Sequence, residues 1–173
     1  MLKFIGHAGF MYSTNNEILL MDPWMSKNGA FDSSWYQFPS NHSLGDEIRQ
    51  EIDSTLKEVY IYISHEHKDH FDVDYLKTLN LSKINFITPK FRRDHVASVL
   101  DKLNPKSVTT PIDSEVLKIG EMEIRLFLDD QEIVRDSAIG LIDFENDFTF
   151  LNLNDCKVYD RVDELKSIFK KFD

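Results

Sequence analysis

A dense run of metal-binding side chains directly follows a predicted strand in the middle of the chain. The stretch Ser64–Asp72 reads SHEHKDHFD, and the apolar run Val59–Ile63 (VYIYI) precedes it. Its three histidines and one aspartate fall within six positions: His65, His67, Asp69 and His70. Neutral imidazoles and a carboxylate are ligands that divalent transition metals prefer. The chain must therefore fold so that a strand ends in a metal-binding loop.

The spacing of these residues indicates how they can share a site. Residues two apart point to the same side of an extended chain, so His65, His67 and Asp69 can converge, and a bend can turn His70 inward. His65 and His67 suit one metal ion, and Asp69 with His70 suits a second. Two metals about 3.5–4 Å apart can hold a bridging hydroxide and stabilise a leaving oxygen.

A pair of metals needs further ligands from elsewhere in the chain. Asp155 is the best candidate, because it follows a predicted strand in the stretch LNLNDC and a carboxylate can bridge two cations. The alternative is an aspartate that only caps the next element. Cys156 beside it has no evident partner histidine and fits a small buried residue better than a nucleophile.

Composition limits the classes of function. The 173 residues suffice for a single domain over 1–173, and the formal charge of −10 argues against general nucleic-acid binding. No apolar run approaches the roughly 20 residues of a membrane span, and no signal-peptide layout is present. The single cysteine excludes an intramolecular disulfide and suits a reducing cytosol, so a cytoplasmic location is expected.

Hydrophobic patterns predict an α/β domain with a mixed sheet or a pair of sheets. The predicted strands are Leu2–Ile5, Gly9–Ser13, Glu17–Met21, Glu58–Ile63, Lys83–Thr88, Lys106–Thr110, Glu115–Ile119, Glu121–Leu128, Ser137–Phe144 and Phe148–Leu153. The predicted helices are Leu44–Leu56, Val73–Leu79 with Asp72 as its N-cap, Phe91–Leu103 and Asp160–Phe172.

A long loop with several aromatic residues, Met25–Ser43, separates the third strand from the first helix. Such a loop is typical of a binding loop or lid, and Trp35 and Tyr36 are its candidate substrate contacts. The alternative is that these rings only cover an edge of the core. His42, at the end of the loop, is a further candidate that could reach the metal site.

These residues together resemble the metallo-β-lactamase superfamily. Its hallmark H-x-H-x-D-H after a strand is matched by His65–His70, and its later bridging aspartate by Asp155. The stretch GHAGFMYSTNNEILLMDPW is similar to the opening shared by ascorbate-6-phosphate-lactonase-like and CMP-N-acetylneuraminate-hydroxylase-like members, and YIYISHEHKDHFDVDYL, LDDQEIVRDSAIGL and FLNLNDC are most similar to the latter. The resemblance implies an αββα sandwich with metals at the edge of its two sheets.

The resemblance also implies roles for residues outside the loop. His7 and Asp22 would lie close to the metals, and Asp22 could orient a ligand histidine. The superfamily's third histidine for the first metal has no counterpart here, and Glu132 takes that position with Asp130 and Asp136 as neighbours. The mammalian-type hydroxylase also has a Rieske domain, which needs two cysteines, so this chain alone cannot perform that chemistry.

The family fold normally continues beyond the helix that follows the bridging aspartate, with a final histidine for the second metal. We therefore expect a domain that is truncated in its second half. Either the sequence is part of a longer gene product, or a second copy of the chain or a complementary chain completes the fold.

The function expected from these features is a metal-dependent hydrolase. A metal-bound hydroxide would attack an ester, lactone or phosphoester, and Asp69 could orient it. One or two divalent ions are expected, with zinc first and manganese or iron as alternatives. The substrate would be a small molecule, with phosphorylated or sugar-derived compounds as candidates. The alternative is a non-catalytic or partner-completed binding module, or a subunit of a sugar-nucleotide-modifying system.

Overall fold

The computed structural model describes residues 1–93, 95–131, 135–169 and 171. It divides into two compact units, the first covering Met1–Thr88 and Asp94–Thr110, the second Pro89–Arg93 and Pro111–Asp173. The single domain over residues 1–173 stays a prediction. None of the helices in the described ranges is long and apolar enough to cross a membrane.

The first unit is built on a six-stranded sheet with the strand order β1-β2-β3-β4-β5-β6. Its strands are β1 (Leu2–Gly6), β2 (Gly9–Ser13), β3 (Glu17–Met21), β4 (Glu58–Tyr62), β5 (Ile84–Ile87) and β6 (Ser107–Thr109). The first three strands form an antiparallel meander, whereas β3 to β6 are parallel to one another. The carboxyl ends of β3 and β4 therefore lie side by side.

Three helices connect the parallel strands, because a parallel pair needs a crossover rather than a hairpin. They are α1 (His42–Ser54), α2 (Val73–Leu76) and α3 (His95–Asp101). Helix α1 buries Ile48 and Ile52, which lie one turn apart on the same face. Helix α2 begins at the predicted cap, because the carboxylate of Asp72 accepts a hydrogen bond from the Tyr75 amide.

The core of this unit consists of aliphatic and aromatic side chains from the sheet and its helices. Strands β3 and β4 supply its centre, where Ile18, Leu20, Val59 and Ile61 are fully buried. Strands buried on both faces are expected where helices cover a parallel sheet. This packing fixes the strand ends that carry the candidate site.

The second unit contains a four-stranded antiparallel sheet with the order β10-β9-β8-β7. Its strands are β7 (Val116–Ile119), β8 (Met122–Asp130), β9 (Arg135–Asp143) and β10 (Phe148–Asn152), followed by helix α4 (Val162–Ile168). Phe127, Leu165 and Phe169 pack in its core. Arg161, directly before α4, forms ion pairs with Asp113, which precedes β7, at 2.7 Å and with Glu164 in α4 at 2.9 Å. These pairs connect the start of α4 to the segment before β7.

The α/β class and all predicted strands and helices are confirmed, but several predicted ends are wrong. Helix α1 starts two residues earlier and ends at Ser54, so Leu56, predicted on its apolar face, is fully exposed. Helices α2 and α3 are shorter than predicted, and α4 begins at Val162 rather than Asp160. A helix end depends on local backbone hydrogen bonds, which apolar spacing does not specify. Residues 170, 172 and 173, at the end of the last predicted helix, lie outside the described residues.

Truncating a leucine in the centre of the sheet should destabilise the protein strongly. Leu20 is fully buried in β3, so Leu20→Ala should lower the free energy of unfolding by about 2–5 kcal/mol. The matched control is Leu56→Ala, since Leu56 is fully exposed, and its effect should stay within about 0.5 kcal/mol. Urea unfolding followed by circular dichroism measures both values. Equal losses in the two variants would contradict the packing described for β3.

Candidate metal centre

The candidate site lies at the carboxyl ends of the parallel strands β3 and β4. Met21 at the end of β3 is opposite Tyr62 at the end of β4, and the Asp22 amide continues the ladder to the Tyr62 carbonyl at 3.0 Å. Asp22 then turns the chain with a φ of 42°, in the left-handed region that aspartate tolerates better than most residues. The turn places its carboxylate beside the residue that opens the metal loop, Ser64.

The Asp22 carboxylate is fully buried and accepts three hydrogen bonds from the metal loop. The Ser64 amide donates to Oδ1 at 2.7 Å, the Ser64 hydroxyl donates to Oδ2 at 2.5 Å, and His70 Nδ1 lies 2.9 Å from Oδ2. A buried carboxylate is costly unless such donors satisfy it. Asp22 therefore fixes both the first residue of the loop and the ring of His70.

These contacts determine which nitrogen of each ring carries the proton. The carboxylate can only accept, so His70 must present Nδ1–H to Asp22. Ser64 has one hydroxyl proton, which goes to Asp22, so its oxygen accepts from His65 Nδ1–H at 2.9 Å. The neutral form of each ring then has its lone pair on Nε2, which is the arrangement that metal-binding histidines need.

A second aspartate, Asp69, is held on the other side of the His70 ring. Its Oδ2 atom lies 3.0 Å from Nε2 of His7 and 3.9 Å from Nε2 of His70. Burial acts to raise the pKa of Asp69, but the hydrogen bond from His7 and the charge of His70 outweigh it and hold that pKa below its usual value. Asp69 is therefore an ionised, buried carboxylate, which suits a cation.

The donor set of the first unit fits a divalent metal ion. Ligand atoms of His7, Asp69 and His70 all lie within 4.8 Å of one another. The rings of His65 and His67 are 4.5 Å apart between centroids, and those of His65 and His70 are 4.3 Å apart. The Oδ1 atom of Asp69 is buried and has no hydrogen-bond partner among the described residues, as expected for an oxygen reserved for a cation.

The structure brings together the loop residues, His7 and Asp22 within the first unit. His67 is exposed, whereas the other loop ligands are buried. Trp35 and Tyr36 are half exposed, and Trp35 lies edge-on to the His7 ring with centroids 5.9 Å apart. Metal and substrate roles for these residues stay predictions.

Three further candidates were expected from the sequence: His42, Asp155 and Glu132. Nδ1 of His42 contacts the Met25 carbonyl at 3.2 Å, and His42 is not in the group formed by His7, Asp69 and His70. Asp155 belongs to the second unit, where it follows β10, and its bridging role stays a prediction. Glu132 lies outside the described residues.

Sequence reasoning missed one residue that the site depends on. Ser64 links Asp22 to His65, and only its position directly before the H-x-H motif at a strand end could have singled it out. Hydroxyl residues are common after strands, so that signal is weak without the fold.

Comparison with known proteins decides the family. The model of the beta-lactamase superfamily domain matches residues 1–151. The chain belongs to the metallo-β-lactamase superfamily. Its assignment to the CMP-N-acetylneuraminate-hydroxylase-like or ascorbate-6-phosphate-lactonase-like branch stays a prediction.

Among curated relatives, the "Putative Rieske 2Fe-2S iron-sulfur protein" of Mycobacterium tuberculosis is 31% identical over 176 residues, which cover 98% of this chain and 32% of that protein. A protein of the same description from Mycolicibacterium smegmatis is 29% identical over the same shares. The chain thus spans about a third of the length of these relatives.

Solved structures share the fold. CmlA, a diiron beta-hydroxylase from Streptomyces venezuelae, is similar with a TM-score of 0.70 and 17% identity, over 99% of this chain and 33% of that one. A "possible metal-dependent hydrolase" from Veillonella parvula is similar with a TM-score of 0.69 and 13% identity, over 98% of this chain and 68% of that one. The metallo-β-lactamase-like fold is therefore established.

Replacing Asp22 by its neutral isostere should weaken metal binding without removing a ligand. In Asp22→Asn the side chain can donate as well as accept, so it no longer enforces the Nδ1–H form of His70. Loss of such an orienting partner typically costs about 10- to 100-fold in metal affinity. Competition with a chelating dye measures the change.

The matched control is Asp32→Asn, because Asp32 is an exposed carboxylate that pairs with Lys68 at 3.3 Å. Its metal affinity should equal that of the wild type. An Asp22→Asn protein that folds normally and binds zinc as tightly as the control would contradict the orienting role of Asp22.

Removing His7 should raise the pKa of Asp69 in the metal-free protein. In His7→Asn the hydrogen bond to Asp69 is lost while burial remains, and asparagine tolerates the φ of 51° at this position. In the wild type the stabilisation from Asp69 is complete above its unfolded pKa of about 3.9 and is lost as pH falls through the lower folded pKa. Carbon-13 NMR of the carboxylates, assigned with Asp69→Asn, measures the shift. An unchanged or lower pKa would refute the role of His7.

Proposed function

We propose that this chain forms the metal-binding part of a metal-dependent hydrolase that acts on an ester, lactone or phosphoester bond. The observation that carries the proposal is the network in which Asp22 and Ser64 hold His65 and His70 as Nδ1–H tautomers. This network presents two Nε2 lone pairs beside an ionised, buried aspartate. The packing of a hydrophobic core does not require such an arrangement. Metal-binding histidines, in contrast, are commonly oriented by hydrogen bonds of this kind.

The proposed ligands follow from the donor atoms. His65, His67 and His70 supply imidazole nitrogens, and Asp69 supplies a carboxylate oxygen. Asp155 and Glu132 remain proposed ligands on the strength of the family resemblance. This mixture of nitrogen and oxygen donors suits zinc first and also suits manganese or iron.

A bound divalent ion would supply Lewis acidity, making water nucleophilic near neutral pH and polarising the bond under attack. The protein's own residues have three tasks. Asp22 and Ser64 keep the histidine rings in place, so no reorganisation is needed during the reaction. Asp69 offers a carboxylate that can orient a water molecule and accept its hydrogen bond. Trp35 and Tyr36 would contact the substrate beside His7.

Cys156 is not assigned to the chemistry. Burial raises the pKa of its thiol to about 12, so it is neither a thiolate ligand nor a nucleophile near neutral pH. A single, buried, reduced cysteine is consistent with the cytoplasmic location that we propose.

A second candidate is a metal-binding part that works within a larger assembly and does not hydrolyse its ligand. The chain spans about a third of relatives named as Rieske proteins and a third of a diiron hydroxylase. The matched region carries one cysteine and so lacks the pair that a Rieske cluster needs. A homodimer or a complementary chain would be part of this second candidate.

The proposed function predicts that His67 is needed for both metal binding and turnover. The wild-type chain, loaded with zinc and freed of excess metal, should retain one or two ions and hydrolyse a model ester or lactone such as phenyl acetate or γ-thiobutyrolactone. His67→Ala should lose bound metal and reduce the rate by about 100-fold or more. Elemental analysis and a spectrophotometric assay give the two readouts.

His95→Ala is the matched control, because His95 is an exposed histidine at the start of α3. It should keep full metal content and activity. Full activity in His67→Ala would exclude the proposed hydrolytic mechanism. Full metal content in the wild type without turnover of any ester, lactone or phosphoester would favour the second candidate.

A further inference from the structure

We propose that a pocket beside His7 binds an uncharged aromatic group of the substrate and disfavours phosphorylated ones. This inference rests on the proposed function, because it assigns the substrate class of the same site. The pocket lies in the first unit, has a volume of about 400 Å³ and is lined mainly by the end of β1 and the loop that precedes α1. That volume is within the range of small-molecule sites.

The walls of this aromatic pocket are rings that a folded protein would not normally leave in water. Phe4, Trp35, Tyr36 and Phe38 all line it, and each is at least half exposed. Exposed apolar side chains gathered in one concave place indicate a binding site more strongly than the same residues scattered singly. Aromatic rings prefer other rings at offset or edge-on geometries, so the pocket suits an aromatic occupant.

The pocket is poor in charged side chains. Among the described residues, its lining contains no lysine, arginine, aspartate or glutamate, and His7 is the one basic side chain in it. The neighbouring polar depression, in contrast, has Lys68 among Asp32, Asp72 and Asp74. A phosphate group would lose its water in the aromatic pocket without gaining a cation, which is strongly unfavourable. A neutral occupant meets no such cost.

Hydrogen bonds hold the loop in place, so the pocket is preformed. The side-chain amide of Gln37 donates to the Trp24 carbonyl at 2.5 Å, and that of Asn41 donates to the Ile5 carbonyl at 2.9 Å and the Trp24 carbonyl at 3.0 Å. Gly6 has a φ of 118° and leaves room for both amides, which a Cβ atom would displace. A preformed pocket lowers the entropy cost of binding.

His7 connects the pocket to the metal loop. Its ring lines the pocket and lies edge-on to Trp24 and Trp35, with centroids 5.4 Å and 5.9 Å away, while its Nε2 atom contacts Asp69. An aromatic group seated in the pocket therefore places its neighbouring ester or lactone bond on the side of His7 that faces Asp69. The pocket would select esters and lactones over phosphoesters.

Both tryptophans of the chain line this pocket, so intrinsic fluorescence reports on its occupancy. The probes are benzamide, phenyl phosphate and glucose, each titrated into metal-free protein so that no metal can attract phosphate. Benzamide should quench or shift the emission at about tenfold lower concentration than either other probe. Trp35→Ala should weaken benzamide binding by about 3- to 10-fold, with Trp24 as the remaining reporter.

Two further variants complete the test. Tyr159→Ala removes an even more exposed ring outside the pocket and should change nothing. Phe38→Lys adds a cation at the rim and should improve phenyl phosphate binding relative to benzamide. Phenyl phosphate binding as tightly as benzamide in the wild type, or benzamide binding unaffected by Trp35→Ala, would overturn the proposal. Glucose binding that requires Trp35 would indicate a sugar rather than an aromatic occupant, and it would overturn the proposal as well.

These outcomes are separable from those of the proposed function. If benzamide binding depends on Trp35 but no turnover is found, the pocket proposal is supported and the hydrolase proposal is rejected. If turnover of phenyl acetate depends on His67 but not on Trp35, the hydrolase proposal is supported and the pocket proposal is rejected.

Discussion

The buried carboxylate of Asp22 is the constraint on which the candidate site depends. It sits where β3 ends, and it accepts three hydrogen bonds from Ser64 and His70, which belong to the loop after β4. A carboxylate at this depth is tolerated only because donors surround it, and those donors are fixed only because the carboxylate is there. The side-by-side ends of two parallel strands thus become a rigid support for the histidines.

The site has two sides of opposite character. On one side, buried carboxylates and oriented imidazoles suit a divalent cation. On the other lies a pocket lined by aromatic rings, for which we propose a neutral ring as the occupant. His7 belongs to both sides, since its ring faces the tryptophans and its Nε2 atom contacts Asp69. Under the proposed function, the loop would hold a cation and the pocket would take an uncharged group of the substrate, in a protein whose formal charge is −10.

The sequence predicted the parts of this arrangement that are local. The H-x-H-x-D-H spacing after an apolar strand is visible within ten residues, and the strands follow from alternating hydrophobicity. The contact between Asp22 and His70 spans 48 positions, and only the family resemblance suggested it. The contact between His7 and Asp69 is still more remote in sequence. Sequence distance hides such pairs. The parallel register of β3 and β4 brings Asp22 to His70, and the antiparallel pairing of β1, β2 and β3 carries His7 to the same sheet.

Other expectations depended on details that a pattern does not contain. The end of α1, which leaves Leu56 in solvent, is set by backbone hydrogen bonds at Thr55 and not by apolar spacing. The composition of the aromatic loop predicts a binding loop. Only the folded structure shows that the described residues lining its pocket include no lysine, arginine, aspartate or glutamate.

The most direct test of this account is the tautomeric state of the loop histidines in the zinc-loaded protein. Long-range proton–nitrogen NMR correlates each ring nitrogen with its carbon-bound protons and distinguishes Nδ1–H from Nε2–H. The account predicts that His65 and His70 carry their protons on Nδ1 and bind zinc through Nε2. A ring of His65 or His70 that is protonated at Nε2, with no shift on zinc addition, would contradict it.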